Sequence, residues 1–547
     1  MIKKIFTNGI LSSGPSGSVV SAAFIITVAG LASRILGLFR DRLLASTFGA
    51  GDTLDAYYAA FRIPDLIYNL LILGALSAAF IPVFTGLISH EKEDEAWDLF
   101  NGVLNLAAIS IIAISLIIAL FAPFIMKLIT PGFSPDKMKT VVLFTRIMLL
   151  SPLFLGISGI MGGSLISFKR FLVYSIAPIM YNVGIIMGVL VFVKIWGPAG
   201  LAVGVVFGAL LHMLIQYPAA KNIGFRYRWS FKEAIFNSNV KKVITLMIPR
   251  TIGIAVNQIN LLIITIFAST LAAGSLAIFS FAQNLQGVPL GLFGASFSIA
   301  VFPVLAALAA KGEKGNFVKI FSVTFRQILF FIIPLSVFIL VLRAQIVRVV
   351  LGAGKFDWED TILTFQALGI FALSLFAQGT IPLLARAFYA LHDTKTPFYI
   401  ALFTEMVNIS AVLILIGRYN VIGLAIAFSL SAVVQMLLLL FVLRSRFDNL
   451  DDKNIIKFSL KIAVASVVAG LSIQLAKYLV APMIDLDTFV GIFIQLAASS
   501  LVGLSVFAGM CYTLKLEEFF KFKNALTRKL FKGKQTIIED TADVSGI

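Results

Sequence analysis

Ser33 to Leu44 read SRILGLFRDRLL, and the reading of this stretch decides the fold. It closes an apolar run that begins near Ser18 and is long enough to cross a bilayer, for which a helix needs about 20 residues. Yet it holds Arg34, Arg40, Asp41 and Arg42. The rest of the chain fixes the setting: of 547 residues, 59% are hydrophobic and 13% charged, whereas a soluble domain is about half apolar and a quarter charged. The chain therefore reads as an all-α polytopic membrane protein, and the four charges need a reason to stand in a membrane helix.

A formal charge of +17 would suit nucleic acid if the basic residues formed a groove. They fall instead between apolar runs and in the C-terminal tail, which is the pattern of membrane topology and excludes a nucleic-acid partner. The single cysteine, Cys511, lies in an apolar run, so the sequence offers neither a disulfide framework nor a thiolate metal site. It has no phosphate-binding loop, dinucleotide fingerprint, zinc motif or nucleophile elbow, and does not read as an enzyme. Met1 to Gly17, with Lys3 and Lys4, reads as a retained cytoplasmic N-terminus, because the run that follows is too long for a signal-peptide core.

Cutting at charges, Pro and Gly places fourteen spans, near 18–48, 55–88, 99–126, 139–167, 171–195, 198–219, 241–271, 275–309, 317–345, 360–391, 396–417, 421–443, 455–481 and 487–514. With an inside start, most Lys and Arg lie on one side: Lys92, Lys169, Arg170, Lys221, Arg226, Arg228, Lys232, Lys311, Lys314, Lys395, Arg444, Arg446 and the tail from Lys515 among them. Few, such as Lys127, Lys137, Arg343, Arg348 and Lys477, fall on the other. The asymmetry places both termini in the cytoplasm.

The chain also repeats itself. GLAVGVVFGALLHML from Gly200 matches GLAIAFSLSAVVQML from Gly423, and SAAFIPVF ending at Phe84 matches SIAVFPVL ending at Leu305. Each half then holds six spans, giving an N-lobe (18–220) and a C-lobe (241–445) joined by a cytoplasmic linker (221–240). Six is even, so the copies share an orientation and are related by a pseudo-twofold along the membrane normal, as in two-lobed transporters. Two further helices (455–514) and a basic cytoplasmic tail (515–547) lie outside the repeat.

A charge at mid-bilayer costs about 2.5–3.5 kcal/mol even on the lenient insertion scale, so such residues face a cavity or a partner. The first two spans hold Arg34, Arg40, Asp41, Arg42, Asp55, Arg62 and Asp65; their counterparts, spans seven and eight, offer Asn257, Asn260, Gln283, Asn284 and Gln286. The charge is lopsided. Arg34 and Asp41 share a helical face about 10 Å apart along the axis, as do Asp55 and Arg62. Arg40 lies well round from Arg34 and reaches that face if Gly37 bends the helix. Pro64 is expected to break the second span just after Arg62, and Arg62 has a partner within reach in Asp65 at i+3. Arg42 reads as a headgroup anchor at the helix end. An Arg cluster facing a cavity calls for an anion, and guanidinium forks match phosphate.

SRILGLFRD (Ser33–Asp41), FGAGDTLDAYYAAFRIPDL (Phe48–Leu66), GALSAAFIPVF (Gly74–Phe84), TPGF (Thr130–Phe133), NLQGVPLGLFG (Asn284–Gly294) and FYALHDTKTP (Phe388–Pro397) strongly resemble the MurJ/MviN family over about residues 20 to 510. These are lipid II flippases of the MOP exporter superfamily. The resemblance implies two six-helix lobes around a cationic cavity and two helices forming a groove for the polyprenyl tail. It also implies transport of undecaprenyl-pyrophosphate-linked glycopeptide outward across the bacterial inner membrane by alternating access, by a monomer whose partners are lipid II and membrane lipids. By position, Arg34, Arg40, Asp41 and Asp55 match family residues, with Arg62 added to the substrate site. Asn284, Gln283 and Asn257 fall on the second-lobe wall. The chain departs where Tyr68 and Asn284 stand in place of common arginines, and Leu73 and Gly287 in place of common glutamates. No cofactor is implied; the family's coupling is ascribed to sodium or to membrane potential, and Glu405 is the clearest acidic candidate for a cation. The rival readings are another exporter of the superfamily, such as a polysaccharide-lipid flippase, and a transport-dead scaffold.

Overall fold

The computed structural model describes residues 19–73, 79–229 and 237–531. The expected N-terminus, the centre of the linker, the end of the basic tail and the side chain of Asn257 lie outside the described residues. What is described is helical. In chain order the helices are α1 (Val19–Phe48), α2 (Asp52–Tyr68), α3 (Ile81–Ser89), α4 (Glu93–Ile129), α5 (Pro135–Met148), α6 (Ser151–Ser167), α7 (Phe171–Met187), α8 (Val193–Trp196), α9 (Ala199–Leu214) and α10 (Tyr217–Asn222). There follow α11 (Ser238–Ser269), α12 (Ser275–Pro289), α13 (Ser296–Ala310), α14 (Lys314–Val350), α15 (Trp358–Ala390), α16 (Lys395–Phe447), α17 (Asp452–Val480), α18 (Phe489–Thr513) and α19 (Glu517–Phe531).

Ten of the helical stretches among the described residues are long and apolar enough to cross a membrane. Most helix boundaries fall within a turn or two of the hydropathy runs, but the run at 139–167 is divided into α5 and α6, and those at 396–417 and 421–443 join in α16. The cut expected between spans eleven and twelve is a tight reversal inside α16, where Asn420 takes φ 47° and ψ −130°; Asn tolerates positive φ better than most residues. Pro64 does not end the second span after Arg62, as the sequence suggested. α2 runs through it to Tyr68, and the irregularity comes a turn later as a wide π-turn over Asn69–Leu73. Proline inside a membrane helix is tolerated where neighbouring helices and local π adjustments absorb the lost hydrogen bond. α1 likewise continues through Gly37 without interruption.

By internal contacts the chain forms two compact units that interleave along the sequence. Among the described residues the first comprises those within 19–285, 350–367 and 405–427, the second those within 286–349, 368–404 and 428–531. Within the first unit, α7 and α9 meet through glycine: a Cβ on Gly184 would lie 2.1 Å from Gly208 Cα, and one on Gly208 would lie 2.5 Å from the Tyr181 carbonyl. Small residues let membrane helices approach closely, where dispersion rather than the hydrophobic effect drives packing. At one end of this unit an aromatic cluster of Phe80, Phe84, Trp97, Phe100 and Phe225 closes the core. In the second unit the core runs through α14, α15, α17 and α18 and includes Phe321, Phe325, Leu375, Ile462 and the buried Cys511.

Candidate functional site

The charged stretch of α1 is the centre of a hydrogen-bond network in the first unit. Asp41 is buried at 2% exposure. Its Oδ1 accepts from Arg40 Nε at 3.0 Å and from Nη2 at 2.7 Å. Both N–H groups converge on one oxygen, a charge-assisted pair that leaves Oδ2 to a further donor. Arg40 Nη1 donates to Asn182 Oδ1 on α7 at 3.1 Å, and Asn182 Nδ2 is turned back toward α1, donating to the Ser33 carbonyl at 3.2 Å. From α12, Asn284 Nδ2 donates to the second oxygen of Asp41 at 3.0 Å. Three helices thus converge on one ion pair. Arg34, beside Ser33, is half-buried on the same helix. Arg40 reaches the cluster through Asp41 and Asn182, with no break at Gly37.

Arg62 stands on α2. It makes no ion pair with Asp65 among the described residues; its Nε donates instead to Thr265 Oγ1 of α11 at 2.8 Å. Between the two arginines lies Tyr58, whose hydroxyl is buried without a hydrogen-bond partner and within electrostatic reach of Asp41, Arg40 and Arg62. Buried polar groups left unpaired are uncommon and costly, and this hydroxyl is one of the few among the described residues. Gln283 is half-buried on α12.

Asp55 belongs to a different network. Only 1% exposed, it accepts from the main-chain N–H of Gly274 at 2.8 Å and of Ala277 at 2.9 Å, at the start of α12. Lys137 of α5 reaches it at 2.7 Å and Asp52 at 2.8 Å. A carboxylate on the open N–H groups of a helix start satisfies them and opposes the helix dipole. Gly274 has φ +88°, and a Cβ there would fall 1.9 Å from the Ala50 carbonyl, so the approach admits only glycine. Nearby, Ala50 N–H donates to Asp360 Oδ2 at 2.9 Å and Lys355 N–H to the Ser46 carbonyl at 2.9 Å. Here main-chain N–H groups of the first unit meet the carboxylates of Asp55 and Asp360 and the carbonyl of Ser46.

Glu405 is 7% exposed and accepts from Asn260 of α11 and, at 3.4 Å, from Asn408. Among the described residues no group of three or more His, Cys, Asp or Glu is arranged to hold a metal. Sequence reasoning missed Asn182, Lys137, Thr265 and Tyr58. Asn182 alone left a signal, as a polar residue in the otherwise apolar APIMYNVGIIMGVLVF of α7.

The family model described as lipid II flippase MurJ matches residues 44–494 of the chain. A probable lipid II flippase MurJ from Rickettsia prowazekii is 28% identical over 494 residues, covering 89% of this chain and 96% of its own length. One from Bdellovibrio bacteriovorus is 28% identical over 515 residues, covering 93% and 97%. Among solved structures, the lipid II flippase MurJ in an inward closed conformation superposes with a TM-score of 0.73 at 25% identity, over 90% of this chain and 99% of that one. An inward-facing multidrug resistance MATE family transporter of the MOP superfamily gives 0.63 at 13% identity, over 77% and 96%, a likeness of fold alone.

Proposed function

Because the chain belongs to the MurJ family of lipid II flippases, we propose that it carries the undecaprenyl-pyrophosphate-linked peptidoglycan precursor from the inner to the outer leaflet of the bacterial inner membrane by alternating access. The observation that carries the site assignment is the Arg40–Asp41 pair, its carboxylate buried and its guanidinium half-buried, tied to Asn182 and Asn284. In this reading Asp41 and Asn182 hold Arg40 in place, and its guanidinium is the donor type that suits pyrophosphate oxygens. Arg34 and Arg62 add positive charge along the path, and Tyr58 donates to the bound anion. Asn284 makes the facing wall neutral, which leaves the anion to the first-half arginines.

The topology proposed is fourteen spans with both termini cytoplasmic: two six-span lobes, then α17 and α18 bordering the lipid tail, acting as a monomer. The Asp55 latch on α12 is the closed outer gate. Moving two negative charges outward against a negative interior gains about 2.3 kcal/mol per charge per 100 mV, enough to bias the cycle. Glu405 with Asn260 and Asn408 is the candidate position for a coupling cation.

The test is growth of a bacterium depleted of its own flippase. Wild type is expected to restore growth, and Arg34→Ala and Arg40→Ala, expressed at equal level, to lose it. Full rescue by both variants, or failure of a well-expressed wild type, overturns the reading.

A further inference from the structure

The segment that follows α10 in the first unit is held by polar groups that the transport site does not use. Residues 225–229 read FRYRW and lie outside any helix, yet two asparagines of α4 grip their main chain. Asn101 Nδ2 donates to the Arg226 carbonyl at 3.1 Å while its Oδ1 accepts from the Arg228 N–H at 3.0 Å, and Asn105 Nδ2 donates to the Arg228 carbonyl at 3.0 Å. Both asparagines are buried and stand one helical turn apart, which lets them share a face toward the segment. Phe225 fixes its start against Trp97, Phe100 and Tyr217. The main chain is thus spoken for, and the side chains point away: Arg226, Tyr227, Arg228 and Trp229 are all exposed, the two rings at 57% and 63%. Arg228 Nη1 comes no nearer than 3.9 Å to Asp98 Oδ1, both side chains being exposed, and such a contact holds an arginine weakly.

Burying two side-chain amides is costly unless they are paired, and here the pairing fixes a surface row of two guanidiniums and two large rings. Its place says what it meets. The row follows Ala199–Asn222, a stretch long and apolar enough to cross a membrane, whose end exposes Leu214 and Tyr217 next to Phe225. At the end of a span, Trp and Tyr set an apolar ring face in the lipid boundary and a polar edge in water, while guanidinium forks match phosphate oxygens. Rings in that position already have lipid beside them, which favours lipid over an acidic protein. We propose that Arg226, Tyr227, Arg228 and Trp229 form a docking strip for the headgroup of anionic phospholipid in the adjoining leaflet, with Asn101 and Asn105 as its positioning residues. Binding there does not depend on what the chain transports.

The test reconstitutes the full chain in mixed bilayers of phosphatidylglycerol and phosphatidylcholine, one of the two brominated, and takes the quenching owed to Trp229 as the difference from Trp229→Phe. Brominated phosphatidylglycerol is expected to quench more than brominated phosphatidylcholine at equal mole fraction. Its relative association constant should fall about fivefold for each arginine replaced in Arg226→Gln and Arg228→Gln. Both arginines are exposed, so these variants fold as wild type. Asn105→Ala keeps both charges and should still lose part of the preference, a readout that loss of stability alone does not move; if it does not purify folded, the arginine variants carry the test. Equal quenching by the two lipids, a preference that survives the double arginine variant, or no quenching of Trp229 by either lipid overturns the proposal. The last outcome would give the strip to a soluble acidic partner instead.

Discussion

At the scale of single residues, the site is defined by which polar atoms are committed and which are open. Asp41 is committed three times over. Asp41→Asn removes the counter-charge beside the half-buried Arg40; a partly buried charge without its partner is costly, so a fall in the thermal unfolding midpoint is expected along with loss of rescue. Tyr58→Phe deletes an open hydroxyl and no internal hydrogen bond. Its unfolding midpoint should stay near wild type while transport of labelled lipid in proteoliposomes slows, and unchanged transport would remove Tyr58 from the substrate path. Outside the spans, Asp393 shows the ordinary logic of a capping carboxylate. Burial pushes its pKa up, but hydrogen bonds from Thr396 and from Arg446 outweigh this and hold it below the usual carboxylate value. A pKa lowered by folding adds stability above the unfolded value and loses it as pH falls through the folded one. This contribution should therefore be constant from pH 5 to 8 and fade only below about pH 4, a dependence that Asp393→Asn abolishes in unfolding scans.

At the scale of elements, the helices were legible in the sequence and their partners were not. Hydropathy marks α4, α14 and α18 because lipid demands a continuous apolar run, and the reversal at Asn420 was marked by the Gly417–Asn420 cut. Periodicity assigns a residue to a face, but not the residue that faces it across helices. Hence the sequence names Arg40 and Asp41 but not Asn182, names Asp55 but not the N–H groups at the start of α12 that it accepts from, and offers Arg62 an i+3 partner in Asp65 where the structure shows Thr265. The π-turn after Tyr68 left no trace in composition. The α7–α9 contact gives an element-level prediction: Gly208→Leu places atoms where the Tyr181 backbone already lies, so overpacking of well over 1 kcal/mol is expected. The yield of folded protein should collapse, whereas Gly509→Ala, with nothing within 4 Å of its added Cβ, should behave as wild type.

At the scale of the whole molecule, the duplicated sequence carries unequal chemistry: the first half supplies guanidiniums and the second mostly amides. A pyrophosphate carrier built this way still moves net negative charge outward, so its rate in proteoliposomes should rise when a potassium diffusion potential makes the interior negative. A rate indifferent to potential would remove that coupling and turn attention to Glu405.

The latch between Asp55 and the start of α12 has one more consequence. One partner is a side chain and the other is peptide backbone, so the two sides differ in what mutation can reach. Asp55→Asn should speed amide hydrogen exchange at Gly274 and Ala277, since hydrogen bonds to a charged group are worth about 1.5–3 kcal/mol. From the other side, Ala277→Gly keeps the donor and only Ala277→Pro deletes it. A saturation scan would thus register this contact on one half of the chain and pass over its counterpart, crediting the first half alone with a junction that both halves make.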